Sequence, residues 1–421
     1  MDELRINAER LHERLAELAT IGAIEGTPGC CRLALTDEDR AGRDLVTAWM
    51  RDLDMEVVID GIGNVTGTWT PPGIDATLAP VMTGSHIDTV RTGGRFDGNL
   101  GVLAGLEVVE TLAEAGVSPG RPLAVGFFTD EEGARFPPDM LGSLVYVGGM
   151  ALETALDIEG IDGMTVGAEL DRIGYRGGAP CPGPAPHAFV ELHVEQGPVL
   201  ESEQLTIGAV TGVQGISWTE LTITGQSNHA GTTPMHLRHD PAYAAARIAV
   251  FVRELALELG GRQVATVGQI IPHPNLVNVV PASVTLTVDL RNTDELVLQQ
   301  AERHLEEHCA ALSDAEGLTI SARTLARFEP VDFDEAVVQL VADTATDLGF
   351  THLRMPSGAG HDAQMLARLC PTAMIFTPSC DGVSHNPAEH TEPTDIEAGA
   401  NVLLHLLLRL SRPAAPGVAT P

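Results

Sequence analysis

The sequence contains no lysine. All 25 of its basic residues are arginine, set against 58 aspartates and glutamates, and the formal net charge is −33. A surface so acidic repels nucleic acid and anionic membranes, so neither is expected as a partner. A salt-rich cytoplasm would screen the self-repulsion, and high-GC codon usage accounts for the missing lysine equally well. No apolar run is long enough to span a bilayer. The longest near the C-terminus, "NVLLHLLLRL", is short and carries His405 and Arg409. The opening "MDELRINAERLHERLAELATIG" places charges at helical spacing and lacks the apolar stretch of a signal peptide. The six cysteines show no CxxC spacing and are expected as reduced, buried or incidental thiols. By elimination the expected location is the cytoplasm.

What is present suits an ordinary globular protein: 421 residues, 44% hydrophobic, long enough for two domains or for one with a large insertion. The first half alternates helix-like and strand-like segments. "TDEDRAGRDLVTAWMRDLDM" predicts a helix opened by a capping box, Thr36-x-x-Asp39, with Leu45, Trp49 and Leu53 on its apolar face. "LAPVMTGSH" and "RPLAVGFFTDEEG" read as buried strands that end on functional side chains, and "LGVLAGLEVVETLAEAG" as a helix stopped by Gly116. That layout belongs to an α/β domain with its site along one edge of the sheet. From about Gly212 the order becomes βαββαβ, through "SWTELTITGQSNHAG" to "LTISARTLA", as in a split βαβ domain. Helix and strand then resume. The expected fold is a catalytic α/β domain with a mixed sheet, residues 1–212 and 328–421, interrupted by a smaller α+β, ferredoxin-like domain, residues 213–327. There is no internal repeat, and the low-complexity sequence is confined to a Pro/Ala tail after Ser411.

Four clusters carry chemistry. "TGSHIDTVRTGGRFDGNLG" sets His86, Asp88 and Asp97 among glycines that let the backbone turn back on itself. An imidazole with carboxylates suits zinc, cobalt, nickel or manganese, and Asp88 is placed to orient the His86 ring. "TDEEGARF" puts Glu131 and Glu132 side by side at the end of a strand, where one acid can bind metal while the other takes a proton. His193 lies in "ELHVEQGPVLE" and His385 in "SCDGVSHNPAEHTEP". Each taken singly has a plain explanation, a capped loop, a solvated acidic turn or a packed histidine. Four such clusters at the ends of apolar strands are harder to explain that way.

The ordered set GSHIDTV, GGRFDG, FTDEEG, HVEQGP and GVSHNPAE resembles the dinuclear-metal amidohydrolases of the aminoacylase/carboxypeptidase superfamily. The flanking residues are most similar to its hydantoinase/carbamoylase branch, and the resemblance covers nearly the whole chain. It implies a catalytic domain with an inserted lid and dimerisation domain, hence a homodimer. It implies two divalent metal ions per subunit, zinc first, with manganese, cobalt or nickel also accepted. His86 and His193 each sit on a metal, Asp97 bridges both ions, and Glu132 and His385 serve the other. Glu131 is then the general base and Asp88 the residue behind His86. In the inserted domain His229, within "NHAGTTPM", is implied as the oxyanion donor, and Asn278 and Arg291 as holding a substrate carboxylate. Gln196 and the "SGAGHDA" turn, with Gly358, Ala359 and Gly360, line the same pocket.

The implied reaction is cleavage of an N-carbamoyl-L-amino acid to amino acid, carbon dioxide and ammonia by metal-activated water. Allantoate amidohydrolase or β-ureidopropionase activity stands second, because those enzymes share these motifs. A dipeptidase, an N-acyl aminoacylase or an inactive metal-binding relative stands behind them. The loop at Cys380 and Asp381 matches no single substrate, and the remaining histidines, His390 among them, read as surface or packing residues without a second site. His361, in the "SGAGHDA" turn, is intermediate.

Overall fold

The computed structural model describes residues 4–412, so the Pro/Ala tail from residue 413 lies outside the described residues. The chain divides into two compact units, one built from the chain up to Thr211 and from Phe333 onward, the other from Gly212–Asp332.

The first unit is organised by a mixed sheet. From one edge its strands run Glu56–Ile59, Val65–Trp69, Leu123–Phe128, Val81–His86, Ala188–Val194, Thr372–Thr377 and Ile207–Val213, with His352–Ser357 also on the last. The four central strands are mutually parallel, while the flanking pairs are antiparallel. The central strands are buried along their whole length, as expected for strands covered on both faces. The helices Asn99–Ala115 and Pro393–Ser411, apolar almost all round, pack against them and against each other. Four parallel strands place four carboxyl ends along one edge of the sheet, and those ends with the loops that leave them carry the candidate metal ligands.

The helix over Asp37–Asp52 differs in its buried face from the sequence expectation. Leu45, Trp49 and Leu53 are half-buried, and the buried face is Gly42, Arg43, Val46 and Met50. The cause is a buried ion pair: Arg43 Nε donates to Asp39 Oδ2 at 2.8 Å, both side chains are fully buried, and Arg43 also donates to the Gly63 carbonyl. Thr36 caps the helix through the Asp39 N–H at 3.3 Å, but Asp39 returns its carboxylate to the Leu35 N–H and not to Thr36.

The second unit is a four-stranded antiparallel sheet in the order Thr319–Phe328, Gly215–Thr224, Ser283–Asn292, Val264–His273. The alternation of Ser283–Asn292, one residue buried and the next half-buried, gives the sheet a single core face. Val284, Leu286, Val288 and Leu290 on that face share one core with Ile248, Val252 and Leu255 of helix Pro241–Leu259 and Leu298 and Leu305 of helix Glu295–Glu316. Both helices are capped by aspartate, Asp240 and Asp294, whose carboxylates accept the first free N–H groups. Truncation of fully buried Leu286 to alanine would cost about 2–5 kcal/mol.

Candidate metal centre

The site is built around Asp97. Its loop leaves the end of the strand Val81–His86 and returns at the helix Asn99–Ala115, so His86 and Asp97 face each other across one turn. Gly98 makes this possible. Its φ is +66°, and a Cβ there would lie 2.4 Å from the His86 ring, a clash with a buried side chain. The loop is held from outside by two long-range contacts. Arg32, fully buried, donates to the Ile87 carbonyl at 2.7 Å and to Asn99 Oδ1 at 2.8 Å. Glu389 Oε1 accepts the N–H groups of Phe96 and Asp97 at 3.0 and 3.2 Å.

The two oxygens of Asp97 face different partners. Oδ1 is 3.2 Å from His193 Nε2 and 3.6 Å from His86 Nε2. Oδ2 is 3.5 Å from His385 Nε2, which lies 3.2 Å from Glu132 Oε2. His86, Asp97 and His193 therefore form one group whose donor atoms lie within 4.8 Å of one another, and Asp97, Glu132 and His385 form a second. Glu131 Oε2 is 3.4 Å from His86 Nε2, beside the first group. These five candidate ligands and Glu131 come from four loops and strands, each at the carboxyl end of a central strand.

Asp88 sits behind His86, but the atom against Nδ1 is its main-chain oxygen, at 2.9 Å, while its carboxylate is 4.0 Å away. That carboxylate instead accepts the N–H groups of Glu131 and Glu132, both at 3.3 Å, and so aims the acid pair into the site. Val194 does for His193 what the Asp88 main chain does for His86: its carbonyl is 2.8 Å from Nδ1. With Nδ1 of both rings held by a carbonyl, Nε2 is the atom each ring can offer to a metal beside Asp97.

Charge in this site is unbalanced. Burial pushes the Glu131 carboxyl well above the ordinary carboxylate range, opposed by His86 and reinforced by Asp362, Glu132 and Asp97. Burial acts the same way on Asp97, but in the metal-free protein the charged rings of His193 and His86 donate to it, outweigh burial and hold the group well below its usual range. A hydrogen bond to the Glu132 carboxylate raises His385 to about 9, against the opposing effect of its burial. Two borderline divalent cations fit this donor set: nitrogen and oxygen donors in two groups of three, a shared carboxylate, and an acid excess that cations would neutralise.

The other expected residues are also in defined positions. Gln196 Nε2 donates to Asp97 Oδ2 at 2.9 Å, from a residue held at φ 58° with its N–H on Ser379 Oγ. Ser357 Oγ accepts the Ala359 N–H at 3.1 Å and closes the turn that contains Gly358 and Gly360, and it lies 2.9 Å from His361 Nε2. His361 is buried, its ring 4.6 Å from that of His193. In the second unit a two-stranded ladder pairs His229 with Val279 and brings Asn278 beside it, where the Ala230 N–H donates to the Asn278 carbonyl at 3.0 Å. His229 Nδ1 accepts the Gly231 N–H at 3.0 Å, so the neutral ring carries its proton on Nε2. Arg291 forms a fork on Asp289, with Nη2 2.9 Å from Oδ2, and lies over the Trp218 ring.

Several supporting residues were not singled out from the sequence as part of the site. Glu191 accepts from Ser85 Oγ at 2.6 Å and from the Ala363 N–H at 2.8 Å. It lies two residues before His193 in one strand, so strand period was the available signal. Ser384 Oγ donates to Asp97 Oδ2 at 3.3 Å, and buried Asp362 stands near Glu191 and His86. For these and for the bonds of Glu389, no local pattern announces the partner.

The chain is similar to known amidohydrolases along almost its whole length. The chain is 42% identical over 405 residues to an N-carbamoyl-L-amino-acid amidohydrolase of Rhizobium meliloti, covering 96% of each protein. It is 36% identical over 408 residues to the allantoate amidohydrolase of Escherichia coli (strain K12), covering 96% of this chain and 98% of that protein. A crystal structure of an amidase of the hydantoinase/carbamoylase family from Burkholderia multivorans superposes with a TM-score of 0.93 at 46% identity, covering 97% of this chain and 98% of that one. Residues 82–409, which begin in the His86 strand and take in every candidate ligand, match the sequence profile of Peptidase family M20/M25/M40, and the chain belongs to that family.

Proposed function

We propose that this protein is a metal-dependent amidohydrolase that cleaves the carbamoyl C–N bond of N-carbamoyl-L-amino acids to amino acid, carbon dioxide and ammonia. The observation that carries the reading is the division of Asp97 between two donor groups with Glu131 beside one of them. His86, Asp97 and His193 would hold one ion, and Asp97, Glu132 and His385 the other. Two divalent ions bound there, zinc first, would polarise the scissile carbonyl and make water nucleophilic near neutral pH.

The remaining work falls to side chains. Glu131, its carboxylate buried and aimed by Asp88, removes the proton of the attacking water and delivers it to the departing nitrogen. His229 donates from Nε2 to the oxygen on which negative charge develops, an interaction stronger in the transition state than in the ground state. Arg291 and Asn278 hold the α-carboxylate, a planar anion that suits a guanidinium fork. Gln196 and the turn at Gly358, Ala359 and Gly360 line the pocket. His229, Asn278 and Arg291 belong to the inserted unit, to which the family resemblance assigns the role of a lid. On the same family resemblance the protein is a homodimer, and its acidic composition with scattered cysteines suits the cytoplasm. Among the described residues no helix is long and apolar enough to cross a membrane.

The test is ammonia release by the purified, metal-loaded protein from N-carbamoyl-L-amino acids, their D-isomers, N-carbamoyl-β-alanine and allantoate, at low and high salt, with chelated controls. Chelator-sensitive turnover confined to N-carbamoyl-L-amino acids is expected. Turnover of allantoate alone would keep the chemistry and replace the substrate.

A further inference from the structure

The loop that carries His385 begins and ends on a second group of metal-ligating side chains. Cys380 opens the short turn Cys380–Gly382, and Glu392 is the residue just before the helix Pro393–Ser411, with His390 two positions earlier. The Cys380 sulfur, a His390 ring nitrogen and a Glu392 oxygen lie within 4.8 Å of one another. The two ends of the loop are tied: the Cys380 N–H donates to the His390 carbonyl at 2.9 Å, and His390 Nε2 is 3.5 Å from Glu392 Oε1. The His390 ring packs edge-on against Phe96, which limits its freedom. None of the three belongs to the donor groups around Asp97.

We propose that Cys380, His390 and Glu392 form a separate site for a thiophilic divalent cation such as Zn²⁺ or Cd²⁺, seated at the foot of the His385 loop. The donor set differs in kind from that around Asp97, because a thiolate selects zinc and cadmium over manganese, magnesium or calcium. Tetrahedral zinc needs its donors about 3.3–3.8 Å apart, so the group must contract modestly. His390 is held against Phe96, and the Glu392 side chain, 60% exposed, is the donor that closes on it and on the sulfur. Burial, then the negative charge of Glu392, Glu201, Asp395 and Asp381, pushes the Cys380 thiol up, so a cation must displace its proton, and the same four carboxylates attract that cation. Binding releases the thiol proton to solvent, and the ion then staples the two ends of the loop. The site is independent of the reaction assigned above.

The experiment loads the full chain with Mn²⁺ and titrates it with Cd²⁺, following the thiolate-to-cadmium charge-transfer band in the ultraviolet. That band reports sulfur ligation and is silent to cadmium held by nitrogen and oxygen alone. Wild-type protein is expected to develop it with one equivalent, and Cys380→Ser to lose it. His390→Gln and Glu392→Gln, which keep the thiol, should each bind about tenfold more weakly or worse. His86→Ala should keep the band, since it disturbs the Asp97 groups alone. A band that survives Cys380→Ser, or that vanishes in His86→Ala, overturns the proposal. So does unchanged affinity in both His390→Gln and Glu392→Gln, which would mean a lone thiol binds the metal.

Discussion

His193 Nε2 lies 3.2 Å from Asp97 Oδ1, while the other oxygen of the same carboxylate is turned toward His385. One side chain thereby belongs to two donor groups, and its loss has a different signature from the loss of any other. Asp97→Ala is expected to empty both positions, whereas His193→Ala and His385→Ala each spare the group to which they do not belong. Metal analysis of the dialysed variants decides it. Retention of two ions by Asp97→Ala would remove the shared carboxylate from the account.

Glu131 is buried beside His86 and has a raised carboxyl pKa, which suits a proton carrier. Glu131→Gln should keep full metal content and lower kcat by about 10²- to 10⁴-fold. Turnover at the wild-type rate would place the base elsewhere.

His385 holds its proton up to about 9 in the metal-free protein, because Glu132 stabilises the charged ring. Metal requires the neutral imidazole, so ion and proton compete. Affinity of the Asp97–Glu132–His385 group should therefore fall as pH drops below about 9, by about tenfold per pH unit for the one proton displaced. Chelator competition at pH 7, 8 and 9 measures it, and an affinity flat across that range would exclude His385 as a ligand.

Gly98 has no room for a methyl group and a φ that side chains avoid. Gly98→Ala should displace the His86 ring and cost metal as well as stability. A structure of the variant with His86 and Asp97 unmoved would contradict this.

Arg291 lies in the inserted unit, apart in sequence from every candidate ligand. Arg291→Ala should raise KM sharply for a carboxylate substrate and leave metal content unchanged. Because Asp289 already occupies its fork, substrate must share or displace that partner, and Asp289→Asn should alter KM as well. Lost metal in Arg291→Ala would remove it from substrate binding.

Much of the site was legible because its residues sit where hydrophobic strands stop. His86 and the acid pair Glu131–Glu132 stand at or just beyond such ends, and a period-two strand singles out His193. Glycines around Asp97 announce a sharp return, and Gly98 shows why one is needed there. Asp88 was legible as a neighbour of His86, but the atoms it uses were not. A carbonyl and a carboxylate on one residue cannot be assigned to partners without the fold.

Local pattern in the chain determined the helices, the strands, the βαββαβ order of residues from Gly212 and the set of side chains able to bind metal. Hydrophobic period and turn chemistry act over a few residues, so these features are written locally. The order of the sheet was decided only in three dimensions. Four parallel strands must lie side by side before His86, Glu132, His193 and His385 can meet around Asp97. The same holds for Glu389 beneath the Asp97 loop, because a contact between distant segments depends on which surfaces pack together, and no short stretch of sequence encodes that.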